Sequence, residues 1–292
     1  KVMWSKVAEK IADHTNMPFE LARDESLSGG CINDARKLIG SCGTSYFAKS
    51  NSTDFLKLFQ AEACALDEIY ETNTIRVPKP ICSGTEANRS FLVLEFIESG
   101  SGSAESQRKM GSALASLHLI KKNHFGWIRD NAIGATPQPN PTSEDWPIFY
   151  RDHRLNHQLK LAKEKGRSFR GSEELLEKIP QFFNDYEPFP SILHGDLWGG
   201  NASCDTSGDP FVFDPATYYG DRETDLAFTY MFGGFSKEFY AAYNAKFPLD
   251  AGFTIRKTLY NLYHELNHFN LFGGGYAASA QASIDHLLSS SK

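Results

Sequence analysis

Cysteine is scarce, and its pattern excludes two structural classes. The five cysteines (Cys31, Cys42, Cys64, Cys82 and Cys204) are odd in number and never stand as C-x-x-C. This argues against both a disulfide framework and a zinc site, and it fits a reducing, cytoplasmic setting. Long hydrophobic runs are missing too. The longest apolar stretches, such as Phe91 to Leu94, are far too short to cross a bilayer, and the first residues hold no apolar run of signal-peptide length, so no membrane partner is expected. Blocks of like charge are absent, and a net charge of −6 leaves no electrostatic footprint for nucleic acid. Any anionic ligand must therefore be held by local cations or a metal. The P-loop pattern G-x-x-x-x-G-K-[ST] is also lacking, which removes that class of phosphate binder.

What is present can build a substantial core: apolar residues make up 41% of the 292 positions, enough for one large or two coupled units. A helical pattern runs from Trp4 to His14. From Phe19 to Phe96 the chain reads as strands around one helix, with a glycine turn at Gly29 and Gly30 between two strand-like runs. Tyr46 to Lys49 and Phe91 to Phe96 are further strand candidates. The Gly/Ser stretch Glu98 to Ser103 reads as a linker, which divides the chain into residues 1–97 and 98–292. Beyond it helices dominate. Met110, Ala113, Leu114 and Leu117 share one face, as do Leu259, Leu262, Tyr263, Leu266 and Phe269. Two short β-like runs, Ile192-Leu193 and Phe211 to Phe213, flank the segment His194-Gly195-Asp196-Leu197-Trp198-Gly199-Gly200-Asn201.

That segment carries the chemistry. Transfer of a phosphoryl group needs an in-line hydroxyl, a carboxylate to take its proton, and cations on the phosphates. Asp196 and Asn201 stand five apart, the spacing of the H-R-D-L-x-x-x-N catalytic loop of protein kinases, with Gly195 where that pattern has Arg. Asp214 ends the next strand candidate, where the same pattern places a metal-binding Asp. The tripeptide His194-Gly195-Asp196 alone is equally a turn. With Asn201 and Asp214 in register it becomes a catalytic loop, with Asp196 as base and Asn201 and Asp214 as hard oxygen ligands suited to Mg²⁺.

An independent indication lies upstream. A helix from about Asp54 to Tyr70 carries Phe55, Leu58, Phe59, Leu66 and Ile69 on one stripe, and Glu62 falls within it. A carboxylate on a core-facing side demands a cation, and Lys49 on the preceding strand candidate is the obvious partner. The alternative is that Glu62 lies at the helix edge and reaches solvent. A strand Lys paired with a helix Glu, holding the ATP phosphates, is the kinase arrangement. Ser28 to Asn33, with Gly29 and Gly30, lies where a phosphate-covering hairpin should be, although paired glycines also make ordinary hairpin turns.

Together these residues resemble the protein-kinase-like superfamily, in its aminoglycoside phosphotransferase and choline kinase branch, and more narrowly the fructosamine kinase (ketosamine-3-kinase) family. The narrower resemblance rests on L-H-G-D-L-W-x-G-N at Leu193 to Asn201, on D-P-A-x-Y-Y-G-D-R-E-x-D-L-A at Asp214 to Ala227, on Phe125-Gly126, Pro137-Gln138, Asn140, Asp145-Trp146 and Phe149-Tyr150, and on Asn267-His268, Asn270 and Phe272-Gly273. It spans nearly the whole chain. The implied fold is α+β and bilobal, a small antiparallel-sheet lobe with one main helix over a larger helical lobe. The implied reaction is ATP- and Mg²⁺-dependent phosphorylation of the 3-hydroxyl of a ketosamine, a glycation adduct whose 3-phosphate decomposes and releases the amine.

The resemblance also implies roles: adenine on the backbone of Glu95, Phe96 and Ile97; loop support from His194 and Asp225; a monomer acting on a small or protein-bound ketosamine. His264 and His268 lie opposite the Leu259/Leu262/Leu266 stripe, so His268 is expected off the core, and with Asn267 and Trp198 it is a substrate-contact candidate. His118 reads as structural. Cys31, in the glycine-rich loop, is expected to be an exposed, oxidisable thiol, and its oxidation is expected to impair ATP binding. Two rivals remain: a kinase of another small alcohol, such as an aminoglycoside, choline or homoserine, and a non-catalytic module that binds glycated protein.

Overall fold

A computed structural model describes residues 2–28 and 32–291. Gly29, Gly30 and Cys31, expected to cover phosphate, lie outside the described residues, as does any redox role for Cys31.

The N-terminal part is an antiparallel sheet in the order β1-β2-β3-β5-β4. Its strands are β1 (Leu21–Leu27), β2 (Asp34–Gly40), β3 (Ser45–Ser52), β4 (Pro80–Glu86) and β5 (Arg89–Glu95). Helix α1 (Val2–Thr15) lies on one face and helix α2 (Leu56–Thr72) on the other. The period-2 alternation of strand side chains assigns the two faces. Phe91 and Val93 of β5 pack with Trp4, Val7, Ala8 and Ile11 of α1, while Leu92 and Leu94 join Phe59, Leu66 and Ile69 of α2. Lys49 of β3 stands directly opposite Leu92 in the register, so it shares the α2 face. That placement, set by strand parity alone, aims an ammonium at α2.

Extended residues 96–98 and the Gly/Ser stretch lead into α3 (Ala104–His118), whose N-cap Ser103 side chain accepts a hydrogen bond from the Ser106 N–H. A hairpin of β6 (Asn131–Ile133) and β7 (Thr136–Gln138) follows. Helix α4 (Trp146–Tyr150), a π-helical turn (Arg151–Leu155) and α5 (Asn156–Glu164) run on continuously, followed by α6 (Ser172–Lys178). The two β-like runs predicted around the glycine-rich segment are strands, β8 (Ser191–Ile192) and β10 (Pro210–Val212), but they do not pair with each other. β8 pairs with β11 (Tyr219–Gly220), and β10 pairs with β9 (Ala202–Cys204). The chain closes with α7 (Glu223–Thr229), α8 (Lys237–Lys246), α9 (Phe253–Phe272) and α10 (Tyr276–Ser290). α9 packs against α5, α7 and α10 at the centre of this helical part.

The fold is thus α+β and kinase-like in plan. One apolar cluster is continuous from the inner face of the sheet, through α2, into the helices.

Candidate active site

Lys49 Nζ lies 2.6 Å from Glu62 Oε1 and 3.0 Å from Asp214 Oδ1, so one buried ammonium bridges two carboxylates. Burial alone would pull the Lys49 pKa down, but the charges of Asp214 and Glu62 outweigh it and hold the lysine protonated. Two carboxylates share a single cation, and the more enclosed of them yields: burial raises Glu62 to about 7, with Lys49 opposing. Among the described residues, Glu62 Oε2 has no hydrogen-bond partner. The helix-edge alternative for Glu62 is not what the geometry shows.

The loop that carries Asp196 runs from β8 to β9. Gly195 adopts φ +88°, and a Cβ there would drive into the Ala216 carbonyl, which is why glycine stands where the protein-kinase pattern has arginine. His194 ties the loop to the next segment. Its Nε2 donates to the Phe213 carbonyl at 2.7 Å and its Nδ1 accepts from the Asp196 N–H at 3.1 Å, so one ring positions both Asp196 and the residue before Asp214. Burial lowers the His194 pKa, which keeps this neutral tautomer. Asp225 of α7 accepts from the N–H groups of His194 (2.8 Å) and Gly195 (2.9 Å) and from His118 Nε2 (2.8 Å). His118 Nδ1 in turn meets the Tyr243 hydroxyl at 2.7 Å. Burial opposes ionisation of Asp225, but these donors prevail and hold its pKa below the usual value.

Asn201 Nδ2 donates to the Asp196 carbonyl at 2.9 Å and to Asp196 Oδ2 at 3.2 Å. Desolvation, then the nearby charge of Asp214, push the Asp196 carboxyl well above its ordinary value. Asp214 itself sits at φ +51°, a conformation uncommon outside glycine and one that clusters at functional positions. Among the described residues no group of three His, Cys, Asp or Glu could hold a metal. An oxygen pair from Asn201 and Asp214 nonetheless fits Mg²⁺, which takes one or two protein carboxylates and completes its shell with phosphate and water.

On the acceptor side Trp198 is 38% exposed, and its ring lies against Gly200, where a Cβ would collide with the indole. Phe232 packs edge-on to Trp198 at 5.9 Å and lies 5.5 Å from His268, so Trp198 and His268 meet through a residue that sequence reading missed. Phe272 and Tyr276 extend the row at 6.1 and 5.1 Å from His268. The signal in the sequence was a pair of exposed aromatics, Phe232 and Phe272, each followed directly by glycines.

Two expectations need correction. His264 is buried, because α7 covers the face of α9 opposite the leucine stripe; its ring stacks on Phe228 at 3.6 Å. His268, expected off the core, is half-buried, and its enclosed Nδ1 has no hydrogen-bond partner among the described residues. Asn267 is buried, accepting from Gln158 Nε2 at 3.2 Å and donating to the Ile133 carbonyl at 3.5 Å, so its amide braces the fold rather than facing an acceptor. Glu95 ends β5 with its carboxylate on the Lys79 N–H and Arg76, and Phe96 and Ile97 follow in the extended connection.

The sequence profile of the family described as Fructosamine kinase matches residues 3–290. The chain belongs to the fructosamine kinase family. It is 46% identical over 286 residues to a protein of Synechocystis named, on inference, a ketoamine kinase, covering 98% of this chain and 97% of that one. It is 41% identical over 275 residues to the chloroplastic protein-ribulosamine 3-kinase of Arabidopsis thaliana, covering 92% and 83%. A crystal structure from Haemophilus somnus, titled on inference a fructosamine-3-kinase, superposes with a TM-score of 0.91 at 31% identity, covering 98% of each chain. Choline kinase LicA of Streptococcus pneumoniae shares the fold alone, with a TM-score of 0.66 at 16% identity over 99% of this chain and 100% of that one.

In this fructosamine kinase family member, the family run from Asp214 to Ala227 is buried almost throughout. Asp221 accepts from the Tyr186 and Tyr260 hydroxyls, and Glu223 pairs with Arg256 at 2.7 Å. These charges hold the segment in place; they do not face the cleft. The polar residues of the Pro137 to Asn140 stretch act alike, with Gln138 Nε2 donating to the Ala216 carbonyl at 3.2 Å and to Asn131 Oδ1 at 3.0 Å.

Proposed function

We propose that the chain transfers the γ-phosphoryl group of ATP to the 3-hydroxyl of a ketosamine, a fructosamine or ribulosamine type of glycation adduct, with Asp196 as the general base. The observation that carries the reading is the shared Lys49 ammonium: it couples Glu62 of α2 to Asp214, beside a base held by Asn201 and His194.

In this mechanism Asn201 occupies Asp196 Oδ2, which leaves Oδ1 for the acceptor hydroxyl. The hydroxyl oxygen forms the new bond to phosphorus as the bond to the ADP oxygen breaks, and its proton passes to Asp196. A carboxyl with a raised pKa is the better proton acceptor for that step. Lys49 orients the phosphates, fixed by Glu62. Glu95, Phe96 and Ile97 present backbone to adenine. Asn201 and Asp214 would hold Mg²⁺, which would neutralise charge on the transferring group. Trp198, Phe232 and His268 offer aromatic faces to the sugar and its protonated amine.

The working unit is a monomer, with residues 1–97 as nucleotide lobe and 98–292 as acceptor lobe, acting in the cytoplasm without nucleic acid. Mass spectrometry of a fructosamine and a ribulosamine incubated with protein, ATP and Mg²⁺ tests the reading. A gain of one phosphoryl group on either adduct is expected. No phosphorylated ketosamine, with ATP consumed on a simple alcohol such as choline, would refute the substrate assignment.

A further inference from the structure

Helix α2 carries Glu62; apart from the Lys49 to Glu62 ion pair whose alignment is in question, it meets the sheet through the apolar side chains Phe59, Leu66, Leu92 and Leu94. Apolar contact is non-directional and does not by itself fix the rotation or slide of a helix. Further directional contacts to α2 come from residues beyond the Gly/Ser connection. Glu68, six residues beyond Glu62, accepts from Trp127 Nε1 at 3.0 Å on Oε1 and from the Tyr219 hydroxyl at 2.6 Å on Oε2, with Lys122 Nζ at 3.7 Å. Arg129, two residues after Trp127, reaches the Lys57 carbonyl at 3.4 Å and Cys64 Sγ at 3.6 Å. One loop therefore grips α2 on both sides of Glu62.

Tyr219 is no ordinary surface partner. It lies five residues after Asp214, and in β11 it pairs with Ile192 of β8, two residues before His194. It also exchanges backbone hydrogen bonds with Gly126, at 2.7 and 3.1 Å, next to Trp127. The two donors on Glu68 are thus locked to each other and to the strand that enters the catalytic loop.

We propose that Glu68 is a positioning residue for phosphoryl transfer: through Trp127 and Tyr219 its carboxylate sets the placement of α2, and so the alignment of Glu62 with Lys49 and Asp214. The inference rests on the reading that the Glu62 and Lys49 pair orients ATP. Glu68 touches neither nucleotide nor acceptor. Its effect is transmitted along a rigid helix, over which six residues span about 9 Å.

A double-mutant cycle on kcat tests this, because residues acting as one unit are non-additive and independent ones are not. Glu68→Ala is expected to lower kcat about 10- to 100-fold, the cost of a misplacement of about 1 Å, with the acceptor KM unchanged. In a Glu62→Ala background the same substitution is expected to change kcat less than about 2-fold. Glu68→Gln keeps one carbonyl acceptor for two donors and should fall between. If Glu68→Ala does not fold, Glu68→Gln and Tyr219→Phe replace it in the cycle, with the same coupled pattern expected. A Glu68 variant that only lowers thermal stability at wild-type kcat, or whose loss multiplies in full with that of Glu62→Ala, overturns the proposal. A Glu62→Ala enzyme with wild-type kcat instead overturns the reading beneath it.

Discussion

Asp225→Asn is the sharpest probe of how the catalytic loop is held. The carboxylate is 1% exposed and accepts three N–H donors, from His194, Gly195 and His118. A carboxamide offers one oxygen and one NH₂ in their place. If the NH₂ takes the Oδ1 position it faces the Gly195 N–H; if it takes Oδ2 it faces both His194 and His118. The first arrangement loses less, and it still breaks one charge-assisted bond and strands a buried donor. Each effect costs about 1–3 kcal/mol, and the bonds that remain lose their charge, giving about 3–5 kcal/mol in all. Against a total stability of about 5–15 kcal/mol the variant should fold, with its urea midpoint lowered and its m-value unchanged. Because the stranded donor is the neighbour of Asp196, kcat should fall about 10- to 100-fold. An Asp225→Asn enzyme within about 1 kcal/mol of wild type and with unchanged kcat would show that the carboxylate is not the brace described.

Asp196→Asn should reduce kcat by a factor of about 10²–10⁴ while ATP affinity, read by calorimetry, is largely kept. Lys49→Ala and Asp214→Ala should weaken nucleotide binding as well, and retention of wild-type ATP affinity by both would contradict their assignment. Trp198→Ala should raise the acceptor KM about 5- to 30-fold with the ATP KM unchanged, in a two-substrate steady-state assay. His264 supplies a pH signature. Burial pulls its pKa from 6.5 to about 3, so protonation favours the unfolded chain, and stability is full above 6.5 and lost as pH falls. At pH 5, about 1.5 units below 6.5, the loss from this group is about 2 kcal/mol. His264→Phe, which keeps a ring against Phe228, should show a smaller drop between pH 7 and 5 in urea unfolding; an equal drop refutes the assignment.

How much of this was legible in the sequence depends on how local the cause is. Asp196, Asn201 and Asp214 are set by spacing along one loop and strand, and Glu62 by the periodicity of one helix, so both patterns stand in the chain itself. Strand parity then adds Lys49. His264 was misplaced because a helical stripe records only the face with the most leucine, and Asn267, taken from the family motif, carries no local sign of its burial. Nothing within α9 reports that α7 and the Gln158 side chain would cover its polar face. Phe232 was missed for a related reason: its partner Trp198 is 34 positions away, and exposed aromatics carry no period. The Asp214 to Ala227 run was expected to speak about the substrate. Its buried charges are instead held by residues outside the run: Asp221 by the Tyr186 and Tyr260 hydroxyls, Arg222 by the Phe247 and Pro248 carbonyls, and Glu223 by Arg256.

The apolar cluster shared by sheet, α2 and helices has a consequence for cooperativity. Phe59, Ala61, Ala65, Leu66 and Ile69 belong to the same packed body as Leu114, Trp127 and Ile133, so the connection near residue 98 divides the architecture without dividing the folding unit. Severing the chain there would expose the whole of that seam on both fragments. Calorimetry should accordingly record a single endotherm, with van't Hoff and calorimetric enthalpies in agreement, where a pair of independently stable lobes would give two.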